Sequence, residues 1–294
     1  MNLDESLSKF TDFLRKQNRS LSTTTAYSKD INQLLDYLET YENVKNIENI
    51  QTQNLNNYIE NIKSDKKRHY TLKTISRKIN SMKTFFKYLN SCGVNKNDIA
   101  NSVKHPQYKV SPPSTLTKLE YSALRDVARS NLRLYTIVEI LLQTGIRIGE
   151  LARISIDDIN LETNNKYIKI KKYGSNPERK VDLTKQAEIA LKRYLKNRPQ
   201  PKQGINSLFV TKNGNTLLVR NIRTSITRAL KKIGITKSTV NDIRNTFILY
   251  QLKNGMSIEV LGQIVGHRRL TSTKRYLQLI DIKPKRKTNK IISL

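Results

Sequence analysis

Apolar residues at helical spacing dominate the first hundred positions of the chain. Between Thr71 and Leu89 they recur at intervals of four, three, four and three, which describes one stripe along a helix; its members are Ile75, Ile79, Met82, Phe86 and Leu89. A second stripe follows a candidate N-cap at Ser22 or Thr23 and comprises Ile31, Leu34, Leu35 and Leu38. Residues 1–100 are therefore predicted to be helical.

A proline-containing stretch interrupts this pattern. KHPQYKVSPPST, residues 104–115, shows no apolar periodicity and contains Pro106, Pro112 and Pro113. Proline cannot continue a helix, and it biases the residue before it toward extended geometry. We interpret residues 106–114 as a linker between two domains, residues 1–105 and residues 115–294.

Helical patterns resume after the linker. Thr117 and Glu120 have the spacing of a capping box, and the apolar run from Leu134 to Leu142 predicts a buried helix that ends at Thr144-Gly145. A second helix is expected to begin within GIRIGELARI. From residue 219 to about 279 the chain is again predicted to be helical, with breaks near Gly234 and Gly255.

Residues 166–183 break the helical pattern. YIKIKK alternates between polar and apolar residues, GSNP is typical of a turn, and RKVDL follows as a second short strand, so we predict a β-hairpin. SLFVTKNGNTLL, residues 207–218, is expected to add a third strand, with its turn at Asn213-Gly214. The predicted fold class is mainly α: a helical N-terminal domain followed by a mixed α/β domain with a small antiparallel sheet.

The charge of the chain identifies its class of partner. The 294 residues include 54 Lys and Arg against 24 Asp and Glu, a formal net charge of +30. Residues 1–105 carry a net +6 and residues 106–294 a net +24. An excess of this size on a folded chain indicates a polyanionic partner. Nucleic acid is favoured over an anionic membrane, and a ribosome-associated protein would share this composition.

Several classes of protein are excluded by the residues that the chain lacks. One cysteine, Cys92, cannot form an internal disulfide and indicates a reducing compartment; it lies in SCGVN, which is typical of the end of a helix. One Cys and three His argue against a structural zinc site, and no metal is expected. We find no secretory signal, no apolar stretch of bilayer length and no Walker-type phosphate loop. A cytoplasmic protein is expected, outside the membrane.

Three short segments carry candidate chemistry. TGIRIGEL, residues 144–151, places Arg147 and Glu150 on one face of a helix, a spacing that by itself is typical of a surface salt bridge. TVNDIRNTF, residues 239–247, contains Arg244, and VGHRRLTSTKRYLQL, residues 265–279, contains His267 and Tyr276. The order and spacing of the three segments carry more information than any one of them.

Together the three segments resemble the boxes of the tyrosine recombinase family, which includes phage integrases and Xer-type site-specific recombinases. TGIRIGEL is similar to the family's TG-x-R-x-x-E-L, RNTF to its R-H-T-F, and LGQIVGHRRLTSTKRY to its third box. The resemblance covers nearly the whole chain. It implies a helical core-binding domain at residues 1–105, a catalytic domain at residues 115–294, and DNA cleavage through a 3′-phosphotyrosyl link without metal or nucleotide.

The resemblance also implies a role for each residue of the boxes. Arg147 and Arg244 hold the phosphate, as planar guanidinium groups can do in bidentate fashion, and Tyr276 is the nucleophile. A lysine or histidine protonates the 5′ oxygen that leaves. The family's hairpin lysine corresponds to Lys172, which precedes Tyr173-Gly174, in preference to Lys171. Glu150 is expected to orient basic side chains.

Two asparagines depart from the family pattern. Asn241 lies three residues before Arg244, where many members have a histidine, and Asn245 also replaces a frequent histidine. Asparagine donates hydrogen bonds but accepts no proton at neutral pH. Either Lys172 and His267 perform the proton transfers, or the chain is a catalytically impaired DNA-binding relative. A type IB topoisomerase or telomere resolvase shares the tyrosine chemistry, whereas an RNA-binding protein explains the charge but not the boxes.

Double-stranded DNA at a recombination site is the expected partner, and the resemblance implies a homo-tetramer on two duplexes. The candidate DNA contacts are basic residues of the 71–89 helix, the hairpin and the third box: Lys73, Arg77, Lys83, Lys87, Lys171, Arg268 and Arg269. After Tyr276 the tail is first basic and then apolar. Ile291, Ile292 and Leu294 either fill a groove on a neighbouring subunit, while Lys285, Arg286 and Lys287 touch DNA, or belong to a frayed end.

Overall fold

The computed structural model describes residues 1–65, 68–94, 98–162, 164–173, 176–280 and 288–294. The chain divides into two compact units, Met1–Val110 and Ser111–Leu294. Each unit has a hydrophobic core of its own. The predicted fold class is confirmed, because the described residues are mainly helical and their small sheet is antiparallel.

The first unit consists of helices packed around aromatic and aliphatic side chains. Its helices are α1 (Leu3–Lys16), α2 (Leu21–Glu42), α3 (Thr52–Ser64) and α4 (Leu72–Ser91), with a 3₁₀ turn at Ile47–Asn49. The predicted stripe of α4 is buried, and Phe85 adds to it. The N-cap predicted for α2 was wrong: Ser20 caps the helix by accepting a hydrogen bond from the Thr23 backbone N–H. Cys92 ends α4 as expected.

The second unit begins with a helical hairpin. Its first helices are α5 (Lys118–Ala128), α6 (Leu132–Thr144) and the short α7 (Ile148–Leu151). The capping box at the start of α5 is confirmed, since Thr117 and Glu120 each accept a hydrogen bond from the other's backbone N–H. Every residue of α6 from Thr136 to Thr144 is buried. This helix therefore forms the centre of the core and fixes the position of the turn that follows it.

The sheet follows α7 and precedes the later helices along the chain. Its strands are β1 (Ile159–Asn160), β2 (Tyr167–Ile170) and β3 (Arg179–Asp182), in the order β1-β2-β3, with Ile170 opposite Arg179. The predicted hairpin is thus present, although Gly174 of its turn lies outside the described residues. The third strand was assigned wrongly: residues 207–218 form only isolated bridges, Ser155 with Ser207 and Val210 with Thr216, and the third strand is β1.

The remaining helices carry the last two boxes. They are α8 (Lys185–Lys196), α9 (Val219–Lys232), α10 (Val240–Lys253), α11 (Ile258–Val265) and α12 (Thr271–Lys274), followed by a 3₁₀ helix at Arg275–Leu279. The predicted breaks at Gly234 and Gly255 are confirmed, and both glycines have positive φ. An additional break at Gly266 separates α11 from α12.

Candidate active site

Gly145 brings the first and second boxes together. It ends α6 with φ of +59°, the left-handed conformation that glycine adopts without strain. A Cβ atom built on Gly145 would overlap the ring of Phe247 on α10. Arg147, two residues later, becomes the N-cap of α7. The TG-x-R sequence thus makes a tight turn, which packs against α10 and places Arg147 next to the end of α11.

Arg147 is held by one carboxylate and by the end of α11. Its Nη1 lies 3.1 Å from Glu150 Oε1 and 3.3 Å from the carbonyl oxygen of Val265, while Nη2 donates to the carbonyl oxygen of Gly266 at 2.7 Å. The Arg147 side chain remains 34% exposed. Its guanidinium is therefore fixed in orientation and still open to a ligand.

Arg244 lies beside Arg147 but is more deeply buried. It projects from α10, donates to the carbonyl oxygen of Gly145, and donates to that of Val265 at 2.8 Å. Both arginines therefore share the Val265 carbonyl. Burial, and then the charge of Arg147, lowers the pKa of Arg244 to about 9, so the group keeps its proton at neutral pH. Its partners are carbonyl dipoles, which orient its charge without neutralising it.

Glu150 is enclosed by two arginines. It is 5% exposed. Arg147 donates to it, and Arg179 on β3 donates Nη1 and Nη2 to its two oxygens at 3.0 and 2.8 Å. Burial acts to raise the pKa of Glu150, but the hydrogen bonds and charges of Arg179 and Arg147 outweigh it and hold the pKa at about 2. Glu150 is thus an ionised partner of Arg147 and Arg179.

His267 follows the αL turn that ends α11. Its Nδ1 lies 2.8 Å from Thr273 Oγ1, and its backbone N–H donates to the carbonyl oxygen of Gly262. Burial, together with the positive charges of Arg244 and Arg147, lowers the pKa of His267 to about 4. The imidazole is therefore neutral at physiological pH. It lies close enough to both arginines for their charges to affect it.

Tyr276 occupies the 3₁₀ helix that closes the third box. It is 5% exposed, and its hydroxyl donates to Asn245 Oδ1 at 2.7 Å. Asn245 in turn donates from Nδ2 to the carbonyl oxygen of Ser114 at 2.8 Å. Burial raises the pKa of Tyr276 against the opposing charges of Arg244 and Arg275. The phenol is therefore protonated at physiological pH.

The two hairpin lysines occupy different environments. Lys171 is tied to the protein: its Nζ lies 3.0 Å from Asp158 Oδ1 and 2.9 Å from Ser155 Oγ. Lys172 is exposed and, among the described residues, has no ion-pair partner. Both line a cavity of about 390 Å³ that also includes Glu150. Of the two, Lys172 is the one whose ammonium group has no fixed partner within the described chain.

Asn241 stands apart from the other predicted site residues. It is exposed on the first turn of α10, three residues before Arg244. None of the contacts among described residues joins it to Arg147, His267 or Tyr276. The structure therefore brings together Arg147, Glu150, Arg244, His267 and Tyr276, whereas Asn241 and Lys172 are exposed.

The candidate DNA contacts vary in how much of each side chain is available. Six of the seven are exposed: Lys73, Arg77 and Lys87 on α4, Lys171 on the hairpin, and Arg268 and Arg269 after His267. Arg77 pairs with Asp30, whereas the half-buried Lys83 donates to the carbonyl oxygen of Asn101 at 3.1 Å. Lys285, Arg286 and Lys287 lie outside the described residues.

The described part of the tail packs on its own unit. The backbone of Ile292 exchanges two hydrogen bonds with the side chain of Gln251 on α10. Gln143 on α6 donates to the carbonyl oxygen of Leu294 at 3.1 Å and accepts from Ser293 Oγ at 3.1 Å. The tail therefore contacts α6, which precedes Arg147, and α10, which carries Arg244.

Arg179 is the functional-site residue that sequence reasoning missed. The available signal was strand alternation: Val181 on β3 is buried, and residue 179 shares its face. Among the described residues, no cluster of three or more His, Cys, Asp or Glu is placed to bind a metal ion. Nor does any described helix combine the length and apolar character needed to span a bilayer.

Comparison with known proteins gives one family for the whole chain. The family model described as the phage integrase family matches residues 114–281, and that of the phage integrase N-terminal SAM-like domain matches residues 7–93. Tyrosine recombinase XerC of Listeria monocytogenes serotype 4a is 30% identical over 286 residues, which cover 91% of this chain and 90% of the relative.

Solved structures show the same fold. The crystal structure of XerA recombinase is 26% identical with a TM-score of 0.54, covering 95% of each chain. A lambda integrase dimer bound to a COC′ core site is 18% identical with a TM-score of 0.74, covering 99% of each chain. With two family models matching and a relative aligned over nine-tenths of its length, the chain belongs to the phage integrase family of tyrosine recombinases, enzymes that cleave and rejoin DNA.

Proposed function

We propose that this protein is a site-specific DNA recombinase in which Tyr276 attacks a phosphodiester and forms a covalent 3′-phosphotyrosyl link. The observation that carries the proposal is the convergence of Arg147 and Arg244 on the Val265 carbonyl, next to His267 and near Tyr276. Residues from three distant boxes meet there.

The charge of the site fits a phosphodiester. Three guanidinium groups, those of Arg147, Arg179 and Arg244, lie near one carboxylate, that of Glu150, and the first two pair with it. This leaves a formal excess of two positive charges. A phosphodiester has one negative charge, and the pentacovalent transition state gathers more. Donors fixed in a water-poor site stabilise that developing charge strongly. Arg147 and Arg244 are the two that face the phosphate in this mechanism.

The reaction balances without an external reagent. The Tyr276 hydroxyl releases its proton to solvent as its oxygen forms a bond to phosphorus. The bond from phosphorus to the 5′ oxygen breaks, and the 5′ oxygen takes a proton. Lys172 is the acid, because Lys171 is committed to Asp158 and Ser155. His267, neutral at physiological pH, donates a hydrogen bond to the phosphate. A 5′ hydroxyl from another strand reverses the steps and rejoins the DNA.

The site also bears on the alternative of a catalytically impaired relative. That alternative rests on Asn241, which is exposed and outside the contacts that join the other residues. The neutral His267 and the protonated Tyr276 lie near two charged arginines. This arrangement favours an active enzyme over an impaired relative.

Duplex DNA is the substrate in this proposal. The net charge of +30 provides the attraction, and the lambda integrase structure similar to this chain is bound to a core site. The core-binding domain, residues 1–105, and the catalytic domain, residues 115–294, both contact the duplex, and residues 106–114 join them. Exchange of both strands of two sites requires a homo-tetramer, in integration, excision or resolution of DNA elements. The tail, here on its own unit, moves to a neighbouring subunit in that assembly.

The nucleophile is tested with a nicked suicide substrate, in which the cleaved fragment diffuses away and traps the covalent adduct. The Tyr276→Phe variant should bind this DNA as the parent does and form no adduct on a denaturing gel. Tyr135→Phe, which removes a hydroxyl elsewhere in the unit, should form adduct normally. An adduct with Tyr276→Phe would refute the assignment.

The acid is tested with a substrate whose 5′ bridging oxygen is replaced by sulfur, a leaving group that needs no proton. Lys172→Ala should stall on the normal substrate and cleave the sulfur substrate nearly as well as the parent. Asn241→Ala should slow both substrates equally, because it removes a hydrogen bond to phosphate. If sulfur rescues Lys171→Ala and not Lys172→Ala, the acid is Lys171.

A further inference from the structure

Arg179 is a buried arginine that takes no part in the mechanism above. It begins β3, its side chain is 8% exposed, and all three of its terminal nitrogens have partners. Nη1 and Nη2 bind the two oxygens of Glu150, and Nε donates to the carbonyl oxygen of Ile264 at 2.7 Å. Its hydrogen bonds are committed to the protein, so it does not hold the substrate phosphate.

The contacts of Arg179 join three parts of the site. Glu150 belongs to α7 beside Arg147, Ile264 belongs to the end of α11, and β3 leads back to the hairpin that carries Lys172. A Cβ atom on Gly266 would lie 2.8 Å from Arg179 Nη1 and 3.3 Å from Arg147 Nη1. Arg179 therefore packs directly against the turn whose carbonyl group holds Arg147.

Stability alone is a poor explanation for this buried ion pair. Replacing a buried pair by apolar residues of similar volume is often neutral or stabilising, because desolvation cancels much of the attraction. Arg179 instead determines which guanidinium nitrogens bind the two oxygens of Glu150. It binds both carboxylate oxygens, so the Arg147 guanidinium keeps a single contact with Glu150, at 3.1 Å, and its Nη2 donates to the Gly266 carbonyl. The backbone N–H of Arg147 also donates to Glu150, at 2.8 Å.

We propose that Arg179 is a positioning residue for catalysis: it occupies Glu150 in a bidentate pair and thereby keeps the Arg147 guanidinium oriented and charged for the phosphate. Without Arg179, the buried carboxylate has Arg147 as its remaining close cation and draws both guanidinium nitrogens onto itself. Arg147 is then turned from the phosphate and neutralised. This inference rests on the proposed function, because it concerns the same reaction.

The test compares Arg179→Met, Glu150→Gln and the double variant in the suicide-substrate reaction. Arg179→Met should lower the rate of adduct formation at saturating DNA by about 100-fold, the effect of misplacing a reacting group by about 1 Å, while the dissociation constant for DNA stays within about twofold. Adding Glu150→Gln removes the charge that captures Arg147. The double variant should therefore react about tenfold faster than Arg179→Met.

If Arg179 only stabilised the fold, the rates of the variants would differ from this expectation. Removing a second buried partner would then leave the rate unchanged or lower it further, and that result would overturn the inference. Equal losses in DNA affinity and rate would do the same. Lys180→Met is the matched control: it removes the same charge from the adjacent exposed position, where the ammonium group lies over the Tyr167 ring, and should leave the rate within about twofold.

If Arg179→Met does not fold, as judged by circular dichroism, Arg179→Lys provides the same comparison. Lysine keeps the charge but cannot bind both carboxylate oxygens, so Glu150→Gln should accelerate Arg179→Lys; no acceleration counts against the proposal. The parent reaction separates the two levels of inference. A parent that forms no adduct refutes the proposed function, whereas a parent that reacts and a double variant that is not rescued refute only the role of Arg179.

Discussion

The two units each bury a cluster of charged side chains, and the clusters are built differently. In the first unit, Asp30 is 5% exposed and accepts from Arg77, from Lys78 at 3.1 Å and from Ser81 at 2.8 Å. Lys78, also buried, donates to Gln33 at 2.6 Å. The buried acid and the buried lysine balance each other, and Arg77 extends to solvent.

The second unit places three arginines close together with one acid, Glu150, which pairs with two of them, Arg147 and Arg179. Beyond Glu150, their partners are the carbonyl oxygens of Gly145, Ile264, Val265 and Gly266. Carbonyl dipoles orient a guanidinium group but leave its charge in place. The comparison teaches that a balanced cluster holds helices together, whereas an unbalanced cluster is completed only by an anion from outside.

The largest effect on catalysis is expected from a change at Arg244, the most buried arginine of the unbalanced cluster. Arg244→Lys keeps one charge but loses the planar fork that reaches the phosphate. Adduct formation should fall by about 1,000-fold, with little change in DNA affinity or in the thermal unfolding midpoint. Arg228→Lys, on the exposed face of α9, is the control. Equal losses of binding and cleavage would mean that Arg244 serves only to hold the DNA backbone.

The balanced cluster should respond in the opposite way. Asp30→Asn leaves Lys78 buried without its counter-charge, so the free energy of unfolding of the first unit should fall by about 3 kcal/mol. Denaturant titration measures this, with Asp36→Asn, an exposed acid on α2, as the control. Folded protein should still cleave DNA when the duplex is saturating. A stable variant that cannot cleave would show that Asp30 has a catalytic purpose.

Titration sharpens the comparison further. Burial and two arginines lower the pKa of His267 from 6.5 to about 4. Between these pH values His267 is therefore protonated in the unfolded chain and neutral in the native state. The stabilising effect is present above pH 6.5 and is lost as the pH falls toward 4. After allowance for solvent screening it amounts to about 1 kcal/mol. His267→Gln should remove this part of the pH dependence of stability. Thermal melts recorded between about pH 7 and pH 4 measure it.

Glu150 adds a separate loss at lower pH. Its pKa of about 2 lies below the ordinary value of 4.5, so its contribution is present above pH 4.5 and disappears toward pH 2. The two windows are distinct, and the His267→Gln variant should keep the lower one. A parent and variant with identical melting curves from pH 7 to 4 would contradict the placement of His267.

The smallest effect is expected at Arg77, where the balanced cluster meets solvent. Its side chain is 44% exposed, so it can exchange Asp30 for a DNA phosphate. Arg77→Gln should weaken binding about equally for all sequences and reduce the slope of log affinity against log salt by about one. Lys63→Gln on α3, which removes an ammonium group paired with Glu60, serves as control. An unchanged slope would place α4 away from the duplex.

The parts of the fold that follow a helical period were predictable from sequence. The stripe of α4 and the capping box of α5 depend on residues three or four apart, so local spacing determines them. The third strand was misplaced because β1 is only two residues long, too short to show alternation. Ser20 was missed as a cap because exposed Leu21, outside the stripe, begins the helix.

The site was predictable where a motif carries the residue and not where tertiary packing does. Arg147, Arg244, His267 and Tyr276 follow from ordered boxes, and the structure brings them together. Arg179 lies in no box, and its value depends on which face of β3 turns inward. The hydrogen bond from Tyr276 to Asn245 likewise joins residues 31 positions apart, which no local pattern reveals.

The turn at Gly145 limits how this enzyme can be altered. The space where a side chain would stand at residue 145 is filled by the Phe247 ring, which belongs to a different box. A methyl group at 145 therefore requires a smaller residue at 247 as well as a backbone that tolerates φ of +59°. Neither change is acceptable alone, so laboratory evolution by single steps meets a barrier here, and libraries that vary both positions together are the way across it.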